Sequence, residues 1–331
     1  MIDFVGKRNL FYVISLLIMV PGLISLVLPG GLKTGIEFSS GTTMTVRFAN
    51  EVEQSDLRAA IAELGHENAR IQTATDGRYI IRTELIEGAG SIKPIGPSLP
   101  SERENLEAAL QDRFGPLVDG DGDVTNRFLE FSSVSPSVSS DIGRNAAIAV
   151  VVASLAILVY ITLSFAAVPN AFRLGACTIV ALGHDVVLVM GAASLLGRFF
   201  DFEIDTLFIT AMLTIIGFSV HDSIVVFDRV RENVRRSEAA GYHVEMADAV
   251  NASLNQTLGR SLNTSITVVL TLVALILLGG ATIREFLVIM LIGLVSGTYS
   301  SIFVAAQLLI SWDEGDLPRA LGRRTEAVEA A

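Results

Sequence analysis

Long uncharged stretches leave this chain few ways to fold. Residues 9–32, 145–172, 261–283 and 286–312 contain no Asp, Glu, Lys or Arg. Each run exceeds the ~20 residues that a helix needs to cross ~30 Å of hydrocarbon. Two more runs qualify only if polar groups are tolerated inside them: 172–197 encloses His184 and Asp185, and 206–227 encloses His221 and Asp222. The sequence therefore reads as a polytopic α-helical membrane protein with six transmembrane helices. The last five fall at about 145–166, 172–197, 206–227, 262–283 and 286–310. Composition agrees, since 51% of the 331 residues are hydrophobic and only 18% are charged, against about 25% charged in soluble domains.

The net charge of −11 argues against a nucleic-acid partner. The single cysteine, Cys177, lies inside a span, so no intrachain disulfide is available. Pro29-Gly30-Gly31 after the first run is no signal-peptidase site, and an uncleaved first span is expected. Basic residues in short loops set orientation. With the N-terminus cytoplasmic, that side holds Lys7, Arg8, Arg173, Arg229, Arg231, Arg235, Arg236, Arg260, Arg319, Arg323 and Arg324. The short outer loops hold Arg198 and Arg284, with Arg144 at the membrane edge. The expected division is a cytoplasmic N-terminus and first span (1–32), an extracytoplasmic domain (33–141), five further spans with a cytoplasmic loop at 228–260 (142–312), and a cytoplasmic tail (313–331).

The extracytoplasmic segment predicts a small α+β fold. Strands are expected at 42–48, 70–73, 79–85 and 127–134. Leu57, Ile61 and Leu64 space a helix that Glu53 or Ser55 opens. Leu106, Leu110 and Phe114 space a second, behind a capping box of Ser101 and Glu104. Residues 87–100, rich in Gly and Pro, read as a loop. The order βαββαβ is ferredoxin-like, a fold with many functions. Residues 228–260 read as a helix leaving the bilayer, a turn at Gly241, and an amphipathic helix on the cytoplasmic surface.

Ionisable groups inside a span are costly, so each is a candidate functional site. Asp222 is the foremost, an acid suited to loading and releasing a proton or ion. A static interhelical bond is the plainer alternative. Arg260, at the cytoplasmic start of span five, is its natural partner, and simple positive-inside anchoring is the plainer role. Arg260, Thr264, Thr267 and Thr271 follow helical spacing and form one polar stripe that should face helices or water. His221 points about 100° away from Asp222 and aligns with Thr210, Thr214 and Gly217. His184 and Asp185 sit near the middle of span three, where they either join the network or serve packing. Ser219 is a further network candidate. Gly293 and Gly297 form a G-x-x-x-G element that allows close helix contact, and Gly217 is a further packing candidate. There is no P-loop and no H-E-x-x-H, and four histidines with one cysteine disfavour catalytic zinc. Two intramembrane acids meet the minimum for an aspartyl protease, but its Gly-x-Gly-Asp context is missing. No enzymatic activity and no cofactor are expected.

Several stretches resemble the SecF family, accessory subunits of the bacterial Sec export machinery related to RND-type transporters. They are Asp3-Phe-Val-Gly-Lys-Arg8, Gly35-Ile-Glu-Phe-Ser-Ser-Gly41, Gly183-His-Asp185, the long stretch from Leu213 through Gly217-Phe-Ser-Val-His-Asp222 to Asn233, Leu254 to Ser265, and Gly297-Thr-Tyr-Ser-Ser-Ile-Phe303. The resemblance covers nearly the whole chain. It implies a bacterial cytoplasmic-membrane location and a SecD partner forming a pseudo-symmetric pair. It further implies contact with the SecYEG channel, with YidC and with unfolded preproteins, in a bed of membrane lipids. It implies that the proton-motive force, or sodium in some relatives, drives assistance to export, with Asp222 and Arg260 in the ion pathway. A non-coupling scaffold and an RND-like exporter of lipids or small molecules are the alternatives. His221 stands where most relatives carry Asn. Ser39-Ser40 and the Val134-Ser-Pro-Ser-Val138 segment carry serine where relatives carry Thr-Gly and Gly.

Overall fold

The computed structural model describes residues 2–73, 77–86, 101–125, 127–166, 171–242, 244–280 and 283–315. The expected loop at 87–100, and the tail from residue 316 with Arg319, Arg323 and Arg324, lie outside the described residues. Two compact units emerge, one of Met1–Lys33 with Ile148–Ala331 and one of Thr34–Ala147.

Helix α1 (Arg8–Val27) opens the first unit. The second unit begins with a single turn, α2 (Ile36–Ser39), and continues β1 (Gly41–Arg47), α3 (Gln54–Glu63), β2 (Arg70–Thr73), β3 (Arg78–Thr83), α4 (Glu102–Phe114), a short ribbon of β4 (Leu117–Val118) and β5 (Val124–Thr125), and β6 (Glu130–Val134). Its four-stranded sheet has the order β2-β3-β1-β6, with every neighbouring pair antiparallel. Alternation along β1 sends Met44, Val46 and Phe48 to one buried face. There they meet Leu57 and Ile61 of α3 and Leu106 and Leu110 of α4. The expected third apolar position of α3, Leu64, is exposed instead, because the helix ends at Glu63. Glu53 takes its N-cap position without a side-chain cap bond. The capping box of α4 is present: Glu104 N–H donates to Ser101 Oγ at 3.3 Å, and Ser101 N–H donates to Glu104 Oε2 at 2.9 Å.

The remaining helices are α5 (Pro136–Ser164), whose residues divide between the units, α6 (Ala171–Phe200), α7 (Thr206–Ala239), α8 (Met246–Leu278), α9 (Arg284–Ser300), a π-helical turn (Ser301–Ala305) and α10 (Ala306–Asp313). Among the described residues, six stretches are long and apolar enough to cross a membrane: α1, α5, α6, α7, α8 and the continuous run Arg284–Asp313. The expected surface helix before span five is no separate element. It is the first part of α8, and with the end of α7 it forms an antiparallel hairpin. Asn233 Nδ2 donates to Ser253 Oγ at 2.8 Å and to Gln256 Oε1 at 3.1 Å across that hairpin.

The first unit sorts its connections to two ends. At one end Ile2 N–H donates to Asn255 Oδ1 (2.9 Å), Arg8 pairs with Glu314 (2.5 Å), Arg173 pairs with Asp313 (3.5 Å), and Arg231 donates to Ser164 O (3.4 Å). At the other, Ile204 N–H donates to Lys33 O (2.8 Å), Arg198 donates to Pro29 O (3.3 Å), and Lys33 pairs with Asp201.

Residue 40 carries backbone strain. Ser40 has φ 61° and ψ 164°, a region otherwise kept by glycine. Gly41 beside it has φ 132°, and a Cβ there would lie 2.5 Å from Thr83 O. A glycine at position 40 would avoid this cost. Ser40→Gly is expected to stabilise the Thr34–Ala147 unit by about 1 kcal/mol, read as slower limited proteolysis within it.

Candidate functional site

Asp185 lies halfway along α6 with 0% of its surface exposed. A fully buried carboxyl must take its hydrogen bonds from protein, and this one takes them from serines of two neighbouring helices and from His184 on its own. Ser296 Oγ of α9 donates to Oδ1 at 2.7 Å. Ser219 Oγ of α7 and Ser300 Oγ of α9 each donate to Oδ2 at 2.7 Å. His184 Nδ1 lies 3.2 Å from Oδ1, and its ring stacks on Tyr299 with centroids 6.4 Å apart. Tyr299 in turn donates to Phe11 O of α1 at 2.8 Å.

The close approach of α7 and α9 follows from small residues. A Cβ at Gly293 would collide with Ile215, and one at Gly297 would stand 3.0 Å from Ser219 Cβ. The pair Gly293/Gly297 thus seats the pair Ile215/Ser219, ridge into groove. This contact brings Ser219 within reach of Asp185. A similar contact, not foreseen, joins α1 to α6, where a Cβ on Gly22 would come 2.8 Å from Gly191 Cα. Ser25 and Ser194 hydroxyls bond at 2.7 Å nearby.

Asp222, one turn beyond Ser219 on α7, is 3% exposed and sparsely bonded. Ser301 Oγ reaches its Oδ2 at 3.4 Å. Ser261 of α8 faces the same carboxylate, yet its hydroxyl and that of Ser223 are buried without a hydrogen-bond partner. Ser265 of the same helix bonds Thr298 of α9 at 2.7 Å.

The structure divides the expected network. It brings together Asp185, His184 and Ser219, with Asp222 adjacent, and it adds Ser296, Ser300, Ser301 and Tyr299. Arg260 is exposed and, among the described residues, forms no ion pair with Asp222. Thr264, Thr267 and Thr271 are exposed with it, and each hydroxyl donates back to its own helix, to Arg260 O (3.0 Å), Thr264 O (2.7 Å) and Thr267 O (3.0 Å). The stripe expected to face helices or water is therefore not covered by any helix among the described residues. His221 is likewise exposed, in line with exposed Thr210, Thr214 and Gly217. Among the described residues, a Cβ at Gly217 would meet nothing within 4 Å. The serines of α9 were missed because apolar-run counting treats serine as filler. Their spacing (Ser296, Ser300) beside Gly293 and Gly297 was the available signal.

Six spans around buried acids and serine hydroxyls define a membrane protein with a polar, ionisable interior. A family profile described as "Protein export membrane protein SecD/SecF, C-terminal" matches residues 120–315. The chain is 44% identical over 331 residues to protein translocase subunit SecF of Thermobaculum terrenum, covering 100% of both. It is 37% identical over 319 residues to the SecF of Anaerolinea thermophila, covering 96% of each. A crystal structure of SecDF from Thermus thermophilus, described as a translocon-associated membrane protein, superposes with a TM-score of 0.74 at 31% identity. That match covers 95% of this chain but only 39% of the longer SecDF chain. The chain belongs to the SecF family of protein translocase subunits.

The α7–α9 seat can be tested directly. Gly293→Ala adds a methyl where Ile215 already sits. The overpacking cost of about 1–3 kcal/mol outweighs the roughly 1 kcal/mol that alanine gains over glycine in a helix. A lower thermal midpoint in detergent is expected, with recovery in the Gly293→Ala/Ile215→Ala double variant.

Proposed function

We propose that this chain pairs with a SecD-type subunit in the bacterial cytoplasmic membrane and uses the proton-motive force to help draw unfolded preproteins out of the SecYEG channel. The observation that carries the reading is the uncovered polar surface of α7 and α8. His221 on one helix, and Arg260 with its threonines on the other, face outward from segments that must cross hydrocarbon. Such groups are tolerated only against protein or a water-filled path. A second membrane subunit against this face supplies both. The solved SecDF chain, more than twice as long as the matched region, supports a SecD-type half as that subunit.

Asp222 then lies just behind the covered face, sparsely bonded and next to two unpartnered hydroxyls. Arg260, unpaired with it in the isolated chain, meets it at the subunit boundary in one state of the cycle and leaves it in the other. One elementary charge moving through 100 mV supplies ~2.3 kcal/mol, which biases a two-state packing well over tenfold. Basic residues gather at the end of the first unit that holds the N-terminus and the α7–α8 hairpin, which supports cytoplasmic termini. The Thr34–Ala147 unit is then extracytoplasmic. Its antiparallel 2-3-1-6 sheet supports a ferredoxin-like fold, and it is the part that acts on preprotein. The protein catalyses no covalent chemistry and holds no cofactor in this reading.

The test is export of a secreted preprotein into membrane vesicles containing the SecD partner. Asp222→Asn and Arg260→Ala are expected to abolish the stimulation by a proton gradient, while ATP-driven export persists. Stimulation that persists in Asp222→Asn overturns the coupling. A scaffold would show both variants active and only deletion of the Thr34–Ala147 unit harmful. Stimulation that follows sodium instead of protons assigns the ion.

A further inference from the structure

Behind the proposed proton site at Asp222 lies a second acid, Asp185, deeper and more fully bonded. Consecutive serines of the α9 segment touch the two acids separately. Ser300 Oγ donates to Asp185 Oδ2 at 2.7 Å and has a second acceptor, Gly297 O, at 3.2 Å. Ser301 Oγ has Asp222 Oδ2 at 3.4 Å and Thr298 O at 3.1 Å. Each hydroxyl carries one proton, so each chooses between a neighbouring helix's acid and its own helix's carbonyl. The two choices are opposite: by distance, Ser300 favours the acid and Ser301 its own backbone. The choice falls where α9 gives way to the π-helical turn, a local irregularity that recurs at functional sites.

Donor numbers separate the acids in the same way. Asp185 has three serine hydroxyls at 2.7 Å and His184 at 3.2 Å, the full set a carboxylate can accept. Asp222 has one long hydrogen bond, from Ser301, with Ser261 facing it. Two buried acids linked through Ser219/Asp222 on α7 and Ser300/Ser301 on α9 resist being ionised together.

We propose that Asp185 and Asp222 share one proton, and that Ser300 and Ser301 convert its position into a change in how α9 is tied to α6 and α7. In one state of this cycle Asp222 carries the proton, while Asp185 holds the hydroxyls of Ser219, Ser296 and Ser300. In the alternate state one proton has left the Asp222 carboxyl and one has joined Asp185. Ser300 then turns to Gly297 O, and Ser301 closes on Asp222. His184 is the entry to Asp185. Its Nδ1 faces Oδ1, and its Nε2 is buried with no partner. The other titratable groups near the pair are Tyr299 from α9, stacked on His184, and His221, on the exposed face of α7. From α1 comes Ser15, which contacts Tyr299, and from α8 comes Ser261. Arg260 stands on the outer face of α8.

This inference rests on proton coupling at Asp222, and the experiment separates the two. The full chain, purified with its SecD-type partner, is examined by pH-difference infrared spectroscopy alongside proton-driven export. Asp222→Asn and Asp185→Asn are each expected to remove one carboxyl band, and Asp185→Asn to move the midpoint of the band that remains by roughly one unit. Ser300→Ala and His184→Gln, which remove no acid, are expected to shift the same midpoints and serve if Asp185→Asn fails to assemble. Proton-stimulated export is expected to fall roughly tenfold in Asp185→Asn. If Asp185→Asn and Ser300→Ala leave the Asp222 band and export unchanged while Asp222→Asn stops stimulation, the shared proton is overturned and the coupling at Asp222 stands. If Asp222→Asn leaves export unchanged, the coupling falls, and unshifted infrared midpoints then overturn the shared proton as well.

Discussion

The bundle is organised around one buried carboxyl group that must find its hydrogen bonds inside the protein. Asp185 is fully buried in the middle of a span, and leaving a carboxylate there unbonded would cost several kcal/mol. The cost is offset by hydroxyls that only neighbouring helices can supply. Satisfying one side chain therefore fixes the rotation of α7, through Ser219, and of α9, through Ser296 and Ser300. Hydrophobic burial cannot do this in lipid, where apolar side chains are as well solvated outside the bundle as inside it. Polar bonds and close packing must specify the arrangement instead.

Close packing and polar bonding are coupled here. Gly293 and Gly297 admit Ile215 and Ser219, and the same approach that removes the gap between helices puts Ser219 at Asp185. Gly22 and Gly191 do the corresponding work between α1 and α6, next to the Ser25–Ser194 bond. Glycine and serine together make two helices approach and then hold them in register. By contrast, α8 turns much of its polar surface away from the chain. Its inner face is still tied to the chain, through Asn251 and Asn255 to the N-terminal segment, Ser253 and Gln256 to α7, and Ser265 to Thr298 of α9.

The fold was legible in the sequence wherever a pattern repeats over many residues. Six apolar runs gave six spans, alternation gave β1, and Ser101 with Glu104 gave the start of α4. Boundaries were less legible: α7 and α8 run on past the bilayer because nothing between Asp228 and Ala239, or between Met246 and Arg260, breaks a helix. The site was half legible. Charge in an apolar run pointed to Asp185 and Asp222, and G-x-x-x-G pointed to Gly293 and Gly297. Which acid each serine serves could not be read, because it depends on helix rotation. The stripe through Arg260 was legible as polar, but whether it would meet helices or water was not, and among the described residues no helix of this chain covers it. A single sequence holds no information on which face meets another subunit.

Helix α7 has 34 residues, and at 1.5 Å per residue it is about 51 Å long. Hydrocarbon accounts for ~30 Å of that, so roughly 20 Å stands in water. Asp222 lies 17 residues before the end at Ala239, about 26 Å along a rod that is stiffened by the bonds from Asn233 to α8. A tilt of about 10° pivoting at Asp222 would carry the tip some 4 to 5 Å sideways, roughly the spacing of one helical turn. The hairpin thus has the geometry of a long lever, in which a small change of tilt at Asp222 becomes a displacement of several ångströms at its tip.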